Sequence, residues 1–545
     1  MENYDVVVIG GGTTGTAVIR DLVLRGFTKS VLLERDDLAA GTSGGCHSAL
    51  HGGSRYVVSD IQTAKECLHE NKIYKKIVPQ VVDPTDALWV ARTEEHMKYA
   101  KQWMKNADEI GLPYEVADVK ETLEDEPLLA DDIQFAIRTI DTGFDPFRLC
   151  IAQAYDAKSK GAVIKTHTEV VALLFDPEND KKIRGVKVLN RLTNEIYDIG
   201  CKLVINASGA WGSQVTEMAG FKIPVKPNKG TMGVYAMRPT KALIGILRYP
   251  GDGDGLVSQG YQNTSLLGTS SVDIEDPDTQ EPGLEEVQIM EDSVAEIIPE
   301  LRNARMIRFC SGVRPLYSET SETGRDVSRR MILLDHEERD GYQGLITITG
   351  GKYATARLMA EETVDLASEK LVGKVIPCTS ADELILGAIT HEEAEKLADK
   401  ISHQYNIPQY TAHKLAARYG SIAETIVREF PEHVAVIDDS VQIIGSEVLY
   451  AMREEEVGNI LDIRRRIRNG MGQDQGTFST YKVSILAKEF ANKSVETCFE
   501  KAQEYTQERW KGMYYALQYA QQVQTATLLQ KMHVGFGNLD CLDIV

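Results

Sequence analysis

The constraint that most narrows the fold is Gly10-Gly11-Gly12-Thr13-Thr14-Gly15, placed directly after the short apolar run Asp5 to Ile9. Such a run suits a buried parallel strand. Residues Thr13 to Arg25 then space Ala17, Val18, Leu22 and Val23 along one helical side, and Gly26 is placed to stop the helix. Ser30 to Glu34 reads as the next strand, so the segment is one βαβ unit. In that setting Gly10 allows a tight turn and Gly12 lets backbone approach a pyrophosphate at the helix N-terminus. Gly15 permits close helix–strand packing. Glu34 ends the second strand, where a carboxylate can accept ribose hydroxyl hydrogen bonds. The spacing predicts a Rossmann-type dinucleotide site; alone it does not separate FAD from NAD.

Further strings repeat the pattern of a strand followed by small residues. Asn206-Ala207-Ser208-Gly209-Ala210-Trp211 follows the strand CKLVI, and Thr349-Gly350-Gly351-Lys352 follows GLITI and precedes a helix. A helix N-terminus there can face an electron-rich ring edge. Two glycine-flanked loops carry cations: His51-Gly52-Gly53-Ser54-Arg55-Tyr56, and Ser311-Gly312-Val313-Arg314-Pro315-Leu316. Guanidinium groups suit bidentate capture of oxyanions.

Alternating helices and strands are expected to about Val170, strands over 183–206, and a strand-rich stretch over 226–350 with a helix near 284–302. From about Cys378 the composition turns to Glu, Lys, Ala and Gln with helical spacing, so 390–545 is expected to be mostly helical. Across 545 residues, 60 Lys+Arg against 81 Asp+Glu give a formal charge of −21, which argues against broad nucleic-acid binding. A small basic pocket is compatible with that balance. The eight cysteines form no CxxC or CxC pair, so a reduced, cytoplasmic chain without a zinc or iron–sulfur site is expected, with no metal ligands. No signal peptide and no spanning apolar run is read, so any membrane contact is expected to be peripheral, on the inner face of the cell membrane.

GGGTTGTAVIRDL, HGGSRY, SGVRPL, TITGGKYATARLMAE, NASGAWG and DTGFDPFRL together resemble the FAD-dependent glycerol-3-phosphate dehydrogenases. The likeness is strongest to the large catalytic subunit of the anaerobic bacterial form, and it extends to ILDIRRRIRNGMG and ERWKGM. The resemblance implies an α/β fold of the glutathione-reductase/amine-oxidase type, with an FAD (Rossmann) domain and a strand-rich substrate domain. A mostly α-helical C-terminal region follows. The implied limits are 1–375 for the oxidoreductase domain, with FAD-binding parts at 1–80, 150–220 and 330–375 and a substrate part mainly at 81–149 and 221–329. A helical linker region is expected at 376–430, a degenerate [2Fe–2S]-binding-like module at 431–490, and a helical tail at 491–545.

The implied cofactor contacts are Gly10, Gly12, Thr14, Gly15, Glu34, Arg35, Thr42, Ser43, Val170, Gly350 and Gly351. His51, Gly52, Gly53, Ala207, Gly209, Trp211 and Gly312 complete the set. Arg55 and Arg314, with Tyr56 and Lys352, are expected around the substrate phosphate. His51 and Lys352 are expected near the reacting carbon, with His51 favoured as base because an imidazole titrates near neutrality. Met232 stands where aerobic relatives tend to carry a histidine. Positions that carry cluster cysteines in the anaerobic form read Asp438, Ser440, Asp474 and Ser479 here. Carboxylate and hydroxyl are poor substitutes for thiolate, so the module is expected to keep its fold without a cluster. The implied reaction is oxidation of glycerol 3-phosphate, with electrons leaving to a partner subunit, quinone or oxygen. Oligomeric state is left open. The alternatives are another polyol phosphate, a 2-hydroxy acid, a sarcosine-like amine, or a non-catalytic flavin scaffold.

Overall fold

The structure, a computed structural model, describes residues 2–249, 255–259, 263–320, 324, 327–477, 479–491, 495–513 and 516. The central βαβ unit forms as the spacing predicts: β1 (Val6–Ile9), α1 (Thr13–Leu24) and β2 (Ser30–Leu33). Helix α2 (Pro146–Ser159) leads to β3 (Val163–Lys165), and β4 (Leu203–Asn206) pairs parallel with β1. After β5 (Val225–Tyr235) and β6 (Met306–Tyr317) the chain returns through β7 (Met331–Asp335) and β8 (Leu345–Gly350). Strand order in this six-stranded sheet is β7-β8-β4-β1-β2-β3, with β7 antiparallel to β8.

Both faces of the sheet are covered, which is why its strands read as continuous apolar runs. Val6, Val8, Leu32, Ile205 and Ile346 point to one side, against α1, α2 and α3 (Ala356–Val372). Val7, Ile9, Val31, Leu33 and Val204 point to the other, against a four-stranded sheet that includes Thr168–Asp176 and Asn179–Asn190. A nine-stranded sheet holding β5 and β6 as antiparallel neighbours forms a second body, packed on Leu284–Ala295. The helix expected near 284–302 is split there: a 3-10 turn, Pro299–Asn303, follows it, with proline at its start.

The C-terminal region builds its own core from helices between His391 and Met513, including α4 (Ile460–Ile467) and α5 (Val495–Met513). A small antiparallel pairing of Val436–Asp438 with Ile443–Ile444 interrupts the helices. Most of the expected tail lies outside the described residues. Buried ion pairs join this region to the sheet domain. Arg466 reaches Asp37 at 2.7 Å, Arg148 reaches Glu455 at 2.8 Å, and His167 meets Asp462 at 2.8 Å. Among the described residues no helix is long and apolar enough to cross a membrane.

Candidate active site

The parallel strands end on one edge, and the small-residue motifs all sit there: Gly10 after β1, Glu34 after β2, Ala207 after β4 and Gly350 within the end of β8. Ligands bind at this edge in doubly wound sheets because helix N-termini and free backbone amides point into it. Two adjoining cavities occupy it, of about 330 Å³ and about 250 Å³, and Thr13, Thr14, Thr42 and Ser43 line both.

The larger cavity has the shape and chemistry of a dinucleotide cradle. Gly10 has φ +111°, and a Cβ there would lie 2.7 Å from the Ala207 carbonyl oxygen. Gly12 begins α1 with no side-chain cap, leaving the helix end open to an anion. Ser43 Oγ accepts from the Thr13 N–H at 2.8 Å and so ties the Thr42-Ser43 loop to that end. Glu34 lines the cavity while its oxygens accept from the Gly11 and Asp36 amides at 2.6 and 2.8 Å. Each oxygen retains a second lone pair for a ribose hydroxyl. Burial pushes its carboxyl upward, opposed by those amides. Val170 and Ala207 complete the wall. Arg35 lies over the Trp211 ring at 4.8 Å, and both bond Asp278, at 2.6 and 3.0 Å. Asp278 also lines the cavity and carries no sequence motif. These residues would fit an FAD, with the uncapped start of α1 able to receive its pyrophosphate. Gly10→Ala is expected to lower the flavin content of purified protein by at least about tenfold, since only ~1.4 kcal/mol of strain is needed; absorbance of the flavin against protein measures it.

The smaller cavity gathers the expected reactive groups. His51, Arg55, Tyr56, Arg314, Gly350, Gly351 and Lys352 all line it. Gly350 and Gly351 have φ of +71° and +69°, the left-handed turn that glycine tolerates. Arg314 donates to Asn228 Oδ1 at 2.8 Å, to the Ser270 carbonyl at 3.1 Å and to Thr269 Oγ1. Its guanidinium lies over Gly230, where a Cβ would clash with it. Lys352 places Nζ 4.2 Å from the Tyr56 ring centroid. Burial, then Arg329 and Arg55, hold its ammonium well below the usual lysine range. Arg329 lines the same cavity and escapes a reading of the sequence, because no motif flanks it.

A third group that the sequence does not single out, after Asp278 and Arg329, is Asp141. It is fully buried and accepts from Gly52 N–H at 2.5 Å and Ser54 Oγ at 3.0 Å, and its other oxygen lies 3.2 Å from His51 Nδ1. A carboxylate on Nδ1 keeps the proton there and leaves Nε2 as the acceptor nitrogen. Its one signal is the string DTGFDPFRL, where it stands first.

Besides Gly15, four expected cofactor contacts do not line either cavity: Gly52, Gly53, Gly209 and Gly312. Gly52 packs against Ile140, Gly53 against the Ala64 carbonyl, and Gly312 against Gly45 backbone, while Gly209 opens the 3-10 turn Gly209–Trp211. Gly15 also lies off the lining and packs against the Gly10 carbonyl, as its expected packing role requires. Met232 is fully buried in β5, away from both linings.

Asp438, Ser440, Asp474 and Ser479 come together in space despite their separation in sequence. Ser440 Oγ bonds Asp438 at 2.8 Å and Asp474 at 2.7 Å, and Ser479 Oγ bonds Asp474 at 3.3 Å. Burial and the Asp474 charge push Asp438 upward. Among the described residues no group of metal-ligating side chains assembles. Hard oxygens bonded to one another do not fit a sulfide cluster. Purified protein is expected to lack stoichiometric iron and labile sulfide; anaerobic analysis finding a full [2Fe–2S] complement would contradict this.

Residues 5–366 match the family described as FAD dependent oxidoreductase, and residues 378–496 match the C-terminal domain of alpha-glycerophosphate oxidase. The chain is 36% identical over 515 residues to one subunit of the anaerobic glycerol-3-phosphate dehydrogenase of Escherichia coli, covering 94% of this chain and 93% of that protein. It is 35% identical over 553 residues to the like-named protein of Haloferax volcanii, covering 99% and 91%. Among solved structures, the glycerol-3-phosphate dehydrogenase of Bacillus halodurans complexed with FAD superposes with TM-score 0.75 at 22% identity, covering 95% and 96% of the two chains. On these matches the chain belongs to the FAD dependent oxidoreductase family, within the group that holds these anaerobic glycerol-3-phosphate dehydrogenases.

Proposed function

We propose that this chain oxidises sn-glycerol 3-phosphate to dihydroxyacetone phosphate with FAD as its redox group. The observation that carries the reading is the meeting of Arg55, Arg314 and Arg329 with His51 in one cavity at the Gly350-Gly351 turn. Arg314, braced by Asn228 and Thr269, and Arg55 anchor the phosphate, which fixes the carbon chain beside the turn. His51 Nε2, with Asp141 holding Nδ1, takes the C2 hydroxyl proton as the C–H bond gives up its electron pair and C=O forms. The flavin, when bound, supplies the two-electron acceptor. Lys352, held below its usual range, is the alternative proton acceptor and otherwise a cation beside the ring.

The Escherichia coli relative is named as one subunit of a larger enzyme, which supports an electron-transfer partner as the onward acceptor, with quinone beyond it. Such a partner would also supply any contact with the inner membrane face.

A dye-linked assay over a panel of phosphorylated and unphosphorylated alcohols, with sarcosine included, tests the substrate. Glycerol 3-phosphate is expected to exceed glycerol in kcat/KM by about 10,000-fold, the discrimination reached when a site's polar groups are left unpaired. Equal use of glycerol, or preference for sarcosine, would overturn the reading.

A further inference from the structure

Helix α4 carries arginines that cross to the sheet domain. Arg465 and Arg466 pair with Asp37 at 3.1 and 2.7 Å, and Arg468, just past the helix, pairs with Asp145. Arg464 differs. Among the described residues its side chain makes no ion pair, and its buried Nε has no hydrogen-bond partner. It faces instead two further arginines, Arg308 on β6 and Arg509 on α5.

The three arginines form one cluster at the junction of the C-terminal helices with the nine-stranded sheet. Arg308 Nη1 donates to the Arg509 carbonyl at 2.9 Å and lies against Gly512. Arg509 is 3% exposed. Its Nη2 donates to the Gly470 carbonyl at 2.5 Å and to Gln475, which leaves Nε and Nη1 buried without partners. Arg308 and Arg464 are half-buried and keep accessible surface. Burial and Arg308 bring Arg464 down to about 10, and burial with Arg308 and Arg464 also depresses Arg509. The neighbouring acid, Glu508, bonds Lys511 at 2.9 Å. Glu508 also attracts Arg308 and Arg464 at longer range, and no carboxylate of a described residue forms a close ion pair with any of the three.

Guanidinium does not deprotonate near neutral pH, so this charge must be met by an anion. Unpartnered N–H donors on neighbouring planar forks, Arg464 Nε with Arg509 Nε and Nη1, match a tetrahedral oxyanion better than a monatomic one. We propose that the Arg308–Arg464–Arg509 cluster is a second anion site, selective for an oxyanion of the phosphate class and separate from the catalytic cavity. Arg308 and Arg314 lie on the same face of β6, six residues apart, which puts the two phosphate anchors about 20 Å from each other.

Equilibrium dialysis of the FAD-loaded full chain against labelled inorganic phosphate, at constant ionic strength, tests this. The expected stoichiometry is two. Arg464→Gln with Arg509→Gln is expected to remove one site and keep the other, and Arg314→Gln is expected to weaken the other alone. Should the double variant yield no yellow protein, Arg464→Lys keeps the charge and loses the fork, and is expected to bind phosphate at one site about tenfold more weakly with unchanged flavin content. A single phosphate in the wild type, lost in Arg314→Gln and unaffected by either change at 464, would overturn the proposal.

Discussion

Arg314→Ala is expected to raise the KM for glycerol 3-phosphate by about 30- to 5,000-fold, because truncating one member of a desolvated, hydrogen-bonded charge pair costs about 2–5 kcal/mol. The side chain is placed for this by three separate elements. Its backbone sits in β6 opposite Asn228 of β5, and Asn228, Thr269 and Ser270 all bond its guanidinium. Gly230, two residues along β5, leaves the room that the guanidinium fills. Those acceptors occupy part of the fork and fix its direction, so less rotamer freedom is lost when phosphate binds. Initial-rate kinetics with a dye acceptor measure the change. A variant with unaltered KM would show that the phosphate is held elsewhere in the cavity.

His51→Asn is expected to slow flavin reduction by about 100- to 10,000-fold with little change in substrate affinity, the usual range for loss of a positioned general base. Asparagine retains a donor for Asp141 but offers no basic nitrogen. His51 stands between the His47 and Tyr56 rings, at centroid distances of 5.3 and 5.5 Å, so its plane is set by edge contacts as well as by Asp141. Stopped-flow reduction separates the chemical step from binding. If the rate survives in His51→Asn and falls in Lys352→Met, the depressed lysine is the proton acceptor.

The dinucleotide cradle is legible in the sequence because its demands are local. A turn after a buried strand needs glycine, and the next strand must end in a carboxylate; both are visible within the segment from Gly10 to Glu34. The repeats of that logic at Ala207 and Gly350 are legible for the same reason. Gly52, Gly53 and Gly312 mark close approaches to Ile140, Ala64 and Gly45. A glycine reports that space is short, not what fills it. Asp141 and Asp278 escape notice as site residues because their partners lie far away in the chain and meet them only after folding. The arginine cluster is hidden likewise: Arg308, Arg464 and Arg509 belong to three distant elements, and only the placement of α4 separates Arg464 from its paired neighbours.

The most direct test is anaerobic mixing of the purified, FAD-loaded chain with glycerol 3-phosphate, followed through the flavin's visible band. Complete bleaching by glycerol 3-phosphate, with none by glycerol at the same concentration, is the predicted result. A flavin that stays oxidised with glycerol 3-phosphate, or a chain that takes up no flavin, would contradict the account.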